Sequence, residues 1–180
     1  MTQERRAFAF ELRTKGRRLE GYAATFNTET RIADAWTETI APGAFAASLA
    51  SGADILALMD HDPARVLGRT RSKTLRLSED TRGLTFEIDL PDTQTGRDVL
   101  ALAERGDLGG MSFGFSARDQ HRSGDRRELR QVDLFEISVV AAWPAYPDTL
   151  VQARARDAVL PGLTDAGRVL RMMEAQKWNS

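Results

Sequence analysis

The sequence predicts a strand-rich α+β domain. Three observations carry that expectation: short segments in which apolar and polar residues alternate recur along the chain, two stretches of helical spacing interrupt them, and Gly and Pro punctuate the boundaries. At 180 residues with 42% apolar content the chain can bury one proper core, and hardly two. One domain is therefore expected, followed by a tail.

Taken in order, Phe8, Phe10 and Leu12 alternate with other residues and predict a half-buried strand over 7–13, and Thr14-Lys15-Gly16-Arg17 reads as a turn. A second strand follows through Leu19 and Tyr22 to Phe26, so the chain should open with a hairpin. Residues 27–35 are polar and irregular, and Trp36 to Ile40 form a short strand. Pro42 suits a first helical position, Phe45 and Leu49 lie one turn apart, and Gly52 is a stop signal, which predicts a short helix over 42–51. The apolar run Ile55-Leu56-Ala57-Leu58-Met59 is of strand length and expected to be buried on both faces. It leads into Asp60-His61-Asp62-Pro63, which places His61 at the mouth of a central strand.

Val66 to Arg69 and Thr74 to Leu77 are short strands, and Arg82-Gly83 turns the chain into Leu84 to Leu90, whose alternation is the cleanest in the sequence. Residues 95–105 form the best internal helix, with Val99, Leu102 and Ala103 on one stripe and Gly106 at its end. A strand over 109–118 follows, then a charged hairpin tip over 119–127. In the strand Leu134 to Val140, Phe135, Ile137 and Val139 are expected on one face and Glu136 with Ser138 on the other. Pro144 and Pro147 end the sheet pattern. Residues 148–162 read as a linker rich in Arg and Ala, and Thr164 caps a helix to about Lys177, so the division is a domain over 1–148 and a linker with a C-terminal helix over 149–180.

Composition narrows the chemistry. No apolar run is long enough to cross a bilayer, which leads us to expect a soluble protein without a membrane partner. The opening Met-Thr-Gln-Glu-Arg-Arg is unlike a secretory signal, so work in a cytoplasm is expected. The absence of cysteine excludes disulfides, thiolate metal sites and a cysteine nucleophile. The net charge is −1, with 25 basic and 26 acidic residues, and supplies no global field toward nucleic acid. Clusters such as Arg5-Arg6, Arg17-Arg18 and Arg126-Arg127 read most simply as solvated strand ends and loops.

The stretch Gly109-Gly110-Met111-Ser112-Phe113-Gly114-Phe115 organises the functional reading. In a strand, Met111, Phe113 and Phe115 share one face, and the other carries a single hydroxyl between two glycines. An extended substrate could come close to Ser112 there. A serine hydroxyl needs a base to take its proton, for which a neutral imidazole is suited, and His61 is the candidate. A carboxylate on the far side of the ring fixes the tautomer. Glu136 suits this role because it interrupts a strongly β-forming run, so it either faces solvent or has a partner. Gly110 to Gly114 also match G-x-S-x-G, but that motif needs a strand-to-helix turn and a histidine late in the chain. Here the strand continues past Ser112, and the sole downstream histidine is His121. Ordinary readings stand beside these: a strand whose glycines mark a bulge, and a glutamate on a solvent face. A metal site built on Asp60, His61 and Asp62, with His121 or Asp133, is the other chemical alternative, although neighbouring strand residues point to opposite faces.

The order His, then Ser on a Gly-rich strand, then an acid on the next strand resembles the prohead (capsid maturation) serine proteases of tailed phages, which are related to the assemblins of herpesviruses. The matching residues are Gly21-Tyr22-Ala23, Ile40-Ala41-Pro42-Gly43-Ala44-Phe45, Leu58-Met59-Asp60-His61-Asp62 with Leu67-Gly68, and Gly83-Leu84. They continue with Gly109 to Phe115 and Leu134 to Val140, and end in Pro144-Ala145-Tyr146-Pro147. The resemblance implies a small, mostly antiparallel β-barrel flanked by a few helices, and a serine endopeptidase with Ser112 as nucleophile, His61 as base and Glu136 as third member, without cofactor or metal. Assemblins place a second histidine at the third position, and His121 is the rival to Glu136. Their Arg-containing oxyanion motif has no counterpart in Ala141-Ala142-Trp143, which leaves backbone N–H groups near Gly110 or Gly114 as donors. The implied partners are the major capsid protein with its scaffolding segment, other procapsid proteins, and the protease itself, through self-cleavage or as a homo-oligomer. The implied location is the assembling procapsid in the host cytoplasm. Self-cleavage is expected within 150–162, and helix 164–177 is expected to tether the enzyme to the shell. A non-catalytic scaffolding or capsid-binding module with the same barrel is the alternative of another class.

Overall fold

The computed structural model describes residues 4–8, 12–32 and 36–141. Its elements follow the order β1 (Glu4–Phe8), β2 (Leu12–Lys15), β3 (Arg18–Thr25), β4 (Thr30–Ile32), β5 (Trp36–Ile40), α1 (Ala46–Ala50), β6 (Leu56–Met59), β7 (Asp62–Arg69), β8 (Leu75–Glu79), β9 (Gly83–Asp89), α2 (Gln94–Arg105), β10 (Gly110–Ser123) and β11 (Arg126–Val140). The strand-rich α+β expectation holds. The linker 148–162 and the helix 164–177 lie outside the described residues, as does Phe10.

β11 is the hub of the larger sheet. It pairs antiparallel with β10 along nearly its whole length. On its other side two strands run parallel to it in succession: β5 beside Arg126 to Leu129, and β6 beside Glu136 to Val139. β1 is added antiparallel to the far side of β10, β4 lies beyond β5, and β7 beyond β6. A second sheet has the order β2-β3-β9-β8. The two sheets share one core, in which Leu19, Phe86 and Ile88 meet Met111, Phe113, Phe115, Ile137 and Val139. Among the described residues they remain two sheets, and no closed barrel forms.

Four expectations are corrected. The alternation over 7–13 is not one strand: β2 forms the expected hairpin with β3, whereas β1 belongs to the other sheet. The helix expected from Pro42 starts at Ala46, because Gly43 has φ +85°, a turn conformation that no helix contains. The charged tip over 119–127 is mostly strand, since Asp119 to Ser123 pair with Arg126 to Gln131, leaving Gly124-Asp125 as the turn. A register shift sits between Gly114 and Phe115, whose partners are Glu136 and Leu134, so Leu134 enters the core and Phe135 is left 40% exposed. The second helix is as expected: the Thr93 hydroxyl accepts from the Gly96 N–H at 3.2 Å, and Gly106 closes its end.

Candidate active site

The site is built where three strands of the larger sheet lie side by side. Ser112 on β10 is directly opposite Ser138 on β11, and Gly114 is opposite Glu136. Directly opposed residues share a face, so Ser112, Ser138 and Glu136 line one surface while Met111, Phe113, Ile137 and Val139 fill the core on the other. Gly110, which opens the serine strand, has φ +153°, a backbone that side-chain-bearing residues rarely adopt.

His61 arrives from β6. That strand ends at Met59, opposite Val139, and turns into β7 through Asp60 and His61, with Met59 paired to Asp62. Both turn residues have positive φ, 51° and 61°, which is what a two-residue primed hairpin turn requires. Neither is glycine, so the turn carries strain of order 1–3 kcal/mol per residue that its surroundings must hold. Asp60 ties it down: its N–H donates to the Val139 carbonyl at 2.9 Å, and its carboxylate accepts from the Ala141 N–H at 2.9 Å and from Arg65 at 3.2 Å. Pro63 is the second residue of β7, which among the described residues lies on the sheet's edge.

The pinned turn sets the His61 ring against Glu136, with Nδ1 and Oε1 2.7 Å apart. Glu136 is 4% exposed and therefore needs partners; its other oxygen, Oε2, accepts from the Ser138 hydroxyl at 2.6 Å. Ser138 was not singled out from the sequence, although its position two residues along the same strand face was the signal. Ser112 is fully buried, and its hydroxyl donates to the backbone carbonyl of Arg6 on β1 at 2.6 Å. Among the described residues, then, His61 and Glu136 are joined by a hydrogen bond, Ser112 is beside them across the strand pair, and the Ser112 hydroxyl is engaged by β1 rather than by the imidazole.

His121 is elsewhere. It lies nine residues beyond Ser112 on the same strand, about 30 Å away at strand rise, exposed and paired with Glu128. Asp60 and Asp62 do not converge with His61: Asp60 anchors the turn, and Asp62 accepts from the Ala64 N–H at 2.9 Å. Asp133 is on Arg118. Among the described residues no group of three or more His, Asp or Glu side chains is arranged to hold a metal. A concavity of about 560 Å³ opens on the second sheet between β3, β8 and β9, lined by residues such as Tyr22, Arg76 and Arg82 and by none of the site residues.

The arginine clusters divide. Arg17, Arg18 and Arg126 make exposed ion pairs, as expected of solvated strand ends. Arg6 and Arg127 are instead 4% exposed and share a buried network with Glu38 and Glu4. Burial pushes the Glu4 carboxyl up, but the hydrogen bond from Arg127 and the charges of Arg6 and Arg127 outweigh it and leave it below its ordinary value. Burial likewise works against the charged form of Arg127, and Glu4 and Glu38 more than compensate.

A strand-borne serine beside a histidine–carboxylate pair defines a candidate hydrolase, and comparison with known proteins gives the class. The family model of the caudovirus prohead serine protease matches residues 6–160, and the chain belongs to that family. It is a serine endopeptidase of phage capsid maturation. Among solved structures it resembles the capsid assembly protease of bacteriophage T4, gp21, with a TM-score of 0.56 at 9% identity, covering 78% of this chain and 97% of that one. That likeness is one of fold. No curated protein matches the chain in sequence.

Proposed function

We propose that the enzyme cuts peptide bonds through Ser112, His61 and Glu136. The observation that carries this reading is the buried Glu136 carboxylate held on His61 Nδ1 at 2.7 Å, two residue pairs along the ladder from the Ser112–Ser138 pair and on the same face. With Nδ1–H fixed on the carboxylate, Nε2 is the free lone pair of the ring, the atom a base needs. It takes the Ser112 proton as Oγ attacks the scissile carbonyl carbon, and returns it to the leaving amine as the C–N bond breaks. Water then hydrolyses the acyl-enzyme by the same exchange in reverse order. The oxyanion is received by backbone N–H groups near Gly110 or Gly114.

The bare strand face around Gly110 and Gly114 suits an extended peptide added by strand pairing. In this reading the substrates are the scaffolding segment of the major capsid protein, other procapsid proteins and the protease itself, encountered inside the assembling particle. The two sheets are the halves of an assemblin-like barrel, an assignment supported by their common core. The test is co-expression of the cognate major capsid protein with wild type or Ser112→Ala. The capsid subunit should shorten with wild type alone, since losing the nucleophile of such a triad costs on the order of 10⁴-fold or more. Shortening by both would place the chemistry elsewhere.

A further inference from the structure

β1 sits where the proposed substrate strand would sit. Among the described residues it is an edge strand, paired with β10 alone, antiparallel, with Ala7 opposite Ser112 and Arg6 opposite Phe113. The Ser112 hydroxyl donates to the Arg6 carbonyl oxygen at 2.6 Å, so a peptide carbonyl already lies at the nucleophile and occupies the proton that the base must take. The Arg6 side chain passes to the opposite face of the sheet, over the Phe115 ring, and its guanidinium grips buried Glu38 on β5 through Nε at 2.5 Å and Nη2 at 2.8 Å. Glu4 of the same strand reaches Arg127 of β11 at 2.5 and 2.7 Å.

The charge balance of this latch is informative. From β1, Glu4 and Arg6 enter the network, and they also contact each other at 2.8 Å. The body of the protein contributes Glu38 and Arg127, which contact each other at 2.9 Å. If β1 leaves, Glu38 and Arg127 remain paired with each other, so neither is left as a lone buried charge to oppose release. A purely structural strand needs no such divisibility.

We propose that β1 is an internal occupant of the substrate-strand site that holds Ser112 silent, and that the segment displacing it is an extended peptide carrying a basic residue in the register of Arg6, read by Glu38. This rests on the assignment of Ser112 as nucleophile. Because β1 belongs to the same chain, it competes at the millimolar effective concentration of a tethered ligand. Activity therefore rises when the latch is broken or the competing segment is abundant.

The test uses the full chain. Ala7→Pro should disrupt β1 pairing opposite Ser112, and labelling of Ser112 by a fluorophosphonate should become at least tenfold faster than in wild type, with Ser112→Ala as the unlabelled control. The capped pentapeptide Glu-Arg-Arg-Ala-Phe should slow labelling of the variant again, and the same peptide with its central Arg replaced by Glu should be at least tenfold weaker. Should Ala7→Pro not fold, hydrogen exchange of the wild type serves: excess pentapeptide should accelerate exchange of the amides of residues 4–8 at least threefold. A folded variant that labels at the wild-type rate, or β1 amides indifferent to the peptide, overturns the proposal while leaving Ser112 as nucleophile. Cleavage of the capsid subunit by Ser112→Ala overturns the nucleophile assignment and this inference together.

Discussion

Two buried carboxylates on the larger sheet invite comparison. Glu38 and Glu136 are 2% and 4% exposed, yet their surroundings differ in kind. Glu38 is gripped by the guanidinium groups of Arg6 and Arg127, cations that never lose their protons. Glu136 meets an imidazole and a hydroxyl, groups whose protons can move or rotate. A fixed counter-charge fixes a position; a titratable partner lets the carboxylate respond as charge appears beside it. Glu38 is thus suited to holding strands together, and Glu136, in the proposed mechanism, to orienting the imidazole and balancing the proton it accepts.

Glu136→Gln breaks the comparison on the catalytic side and should have the largest effect. The amide keeps the side chain's shape but cannot stabilise the imidazolium, and its NH₂ group favours the wrong tautomer. We expect kcat for peptide cleavage to fall by about 10⁴-fold, the scale seen when a triad carboxylate becomes an amide. Melting should move by only a few degrees. Steady-state kinetics with a circular dichroism melt checks both, and retention of more than a tenth of the activity would remove Glu136 from the triad.

Glu38→Gln breaks it on the structural side. Arg6 and Arg127 would then lose the carboxylate they share, and removing one partner from a buried ion-pair network costs about 3–5 kcal/mol. For a domain of this size that is a fall of about 6–20 °C at 2–4 °C per kcal/mol. Urea unfolding should show a lower midpoint, and Ser112 labelling should quicken because β1 is held less firmly. A loss under 1 kcal/mol would mean that the network relaxes onto water.

The two carboxylates were not equally legible. Ser112 and Glu136 stood out because each breaks a local pattern: one hydroxyl between glycines, one acid in a β-forming run. Glu38 breaks none, and its partners lie 32 and 89 residues away, a distance over which alternation carries no information. For the same reason Arg6 and Arg127 read as solvated. Continuous alternation through residues 7–13 could not reveal that the chain changes sheets between β1 and β2. The bulge that expels Phe135 and admits Leu134 reverses the face of a residue without altering composition, so only pairing register discloses it. The glycines beside Ser112 suggest an open face, but the long-range pairing of β1 with β10 covers it.

An exposed ion cluster sharpens the contrast with Glu38 from the other end. On the second sheet, Asp89 accepts from Arg76 at 2.8 and 3.0 Å and from Arg18 at 3.0 Å, with its side chain 44% exposed. The Arg76 hydrogen bonds, opposed by slight burial and reinforced by Arg18, lower its carboxyl from 3.8 to about 2. Because the folded value is depressed, the stabilisation is present above the unfolded value and is lost as pH falls through the folded one. That window runs from about pH 4 down to about pH 2. Solvent screening keeps the effect small, below about 1 kcal/mol, whatever the geometry. Asp89→Asn should therefore lower unfolding stability by no more than about 1 kcal/mol at pH 7, by less in 0.5 M salt, and by nothing measurable near pH 1.5, where both proteins carry a neutral group at this position. A gap that persisted undiminished at that pH would assign the contribution to packing or to neutral hydrogen bonds instead, and the difference between buried and exposed ion pairs in this protein would no longer be one of charge.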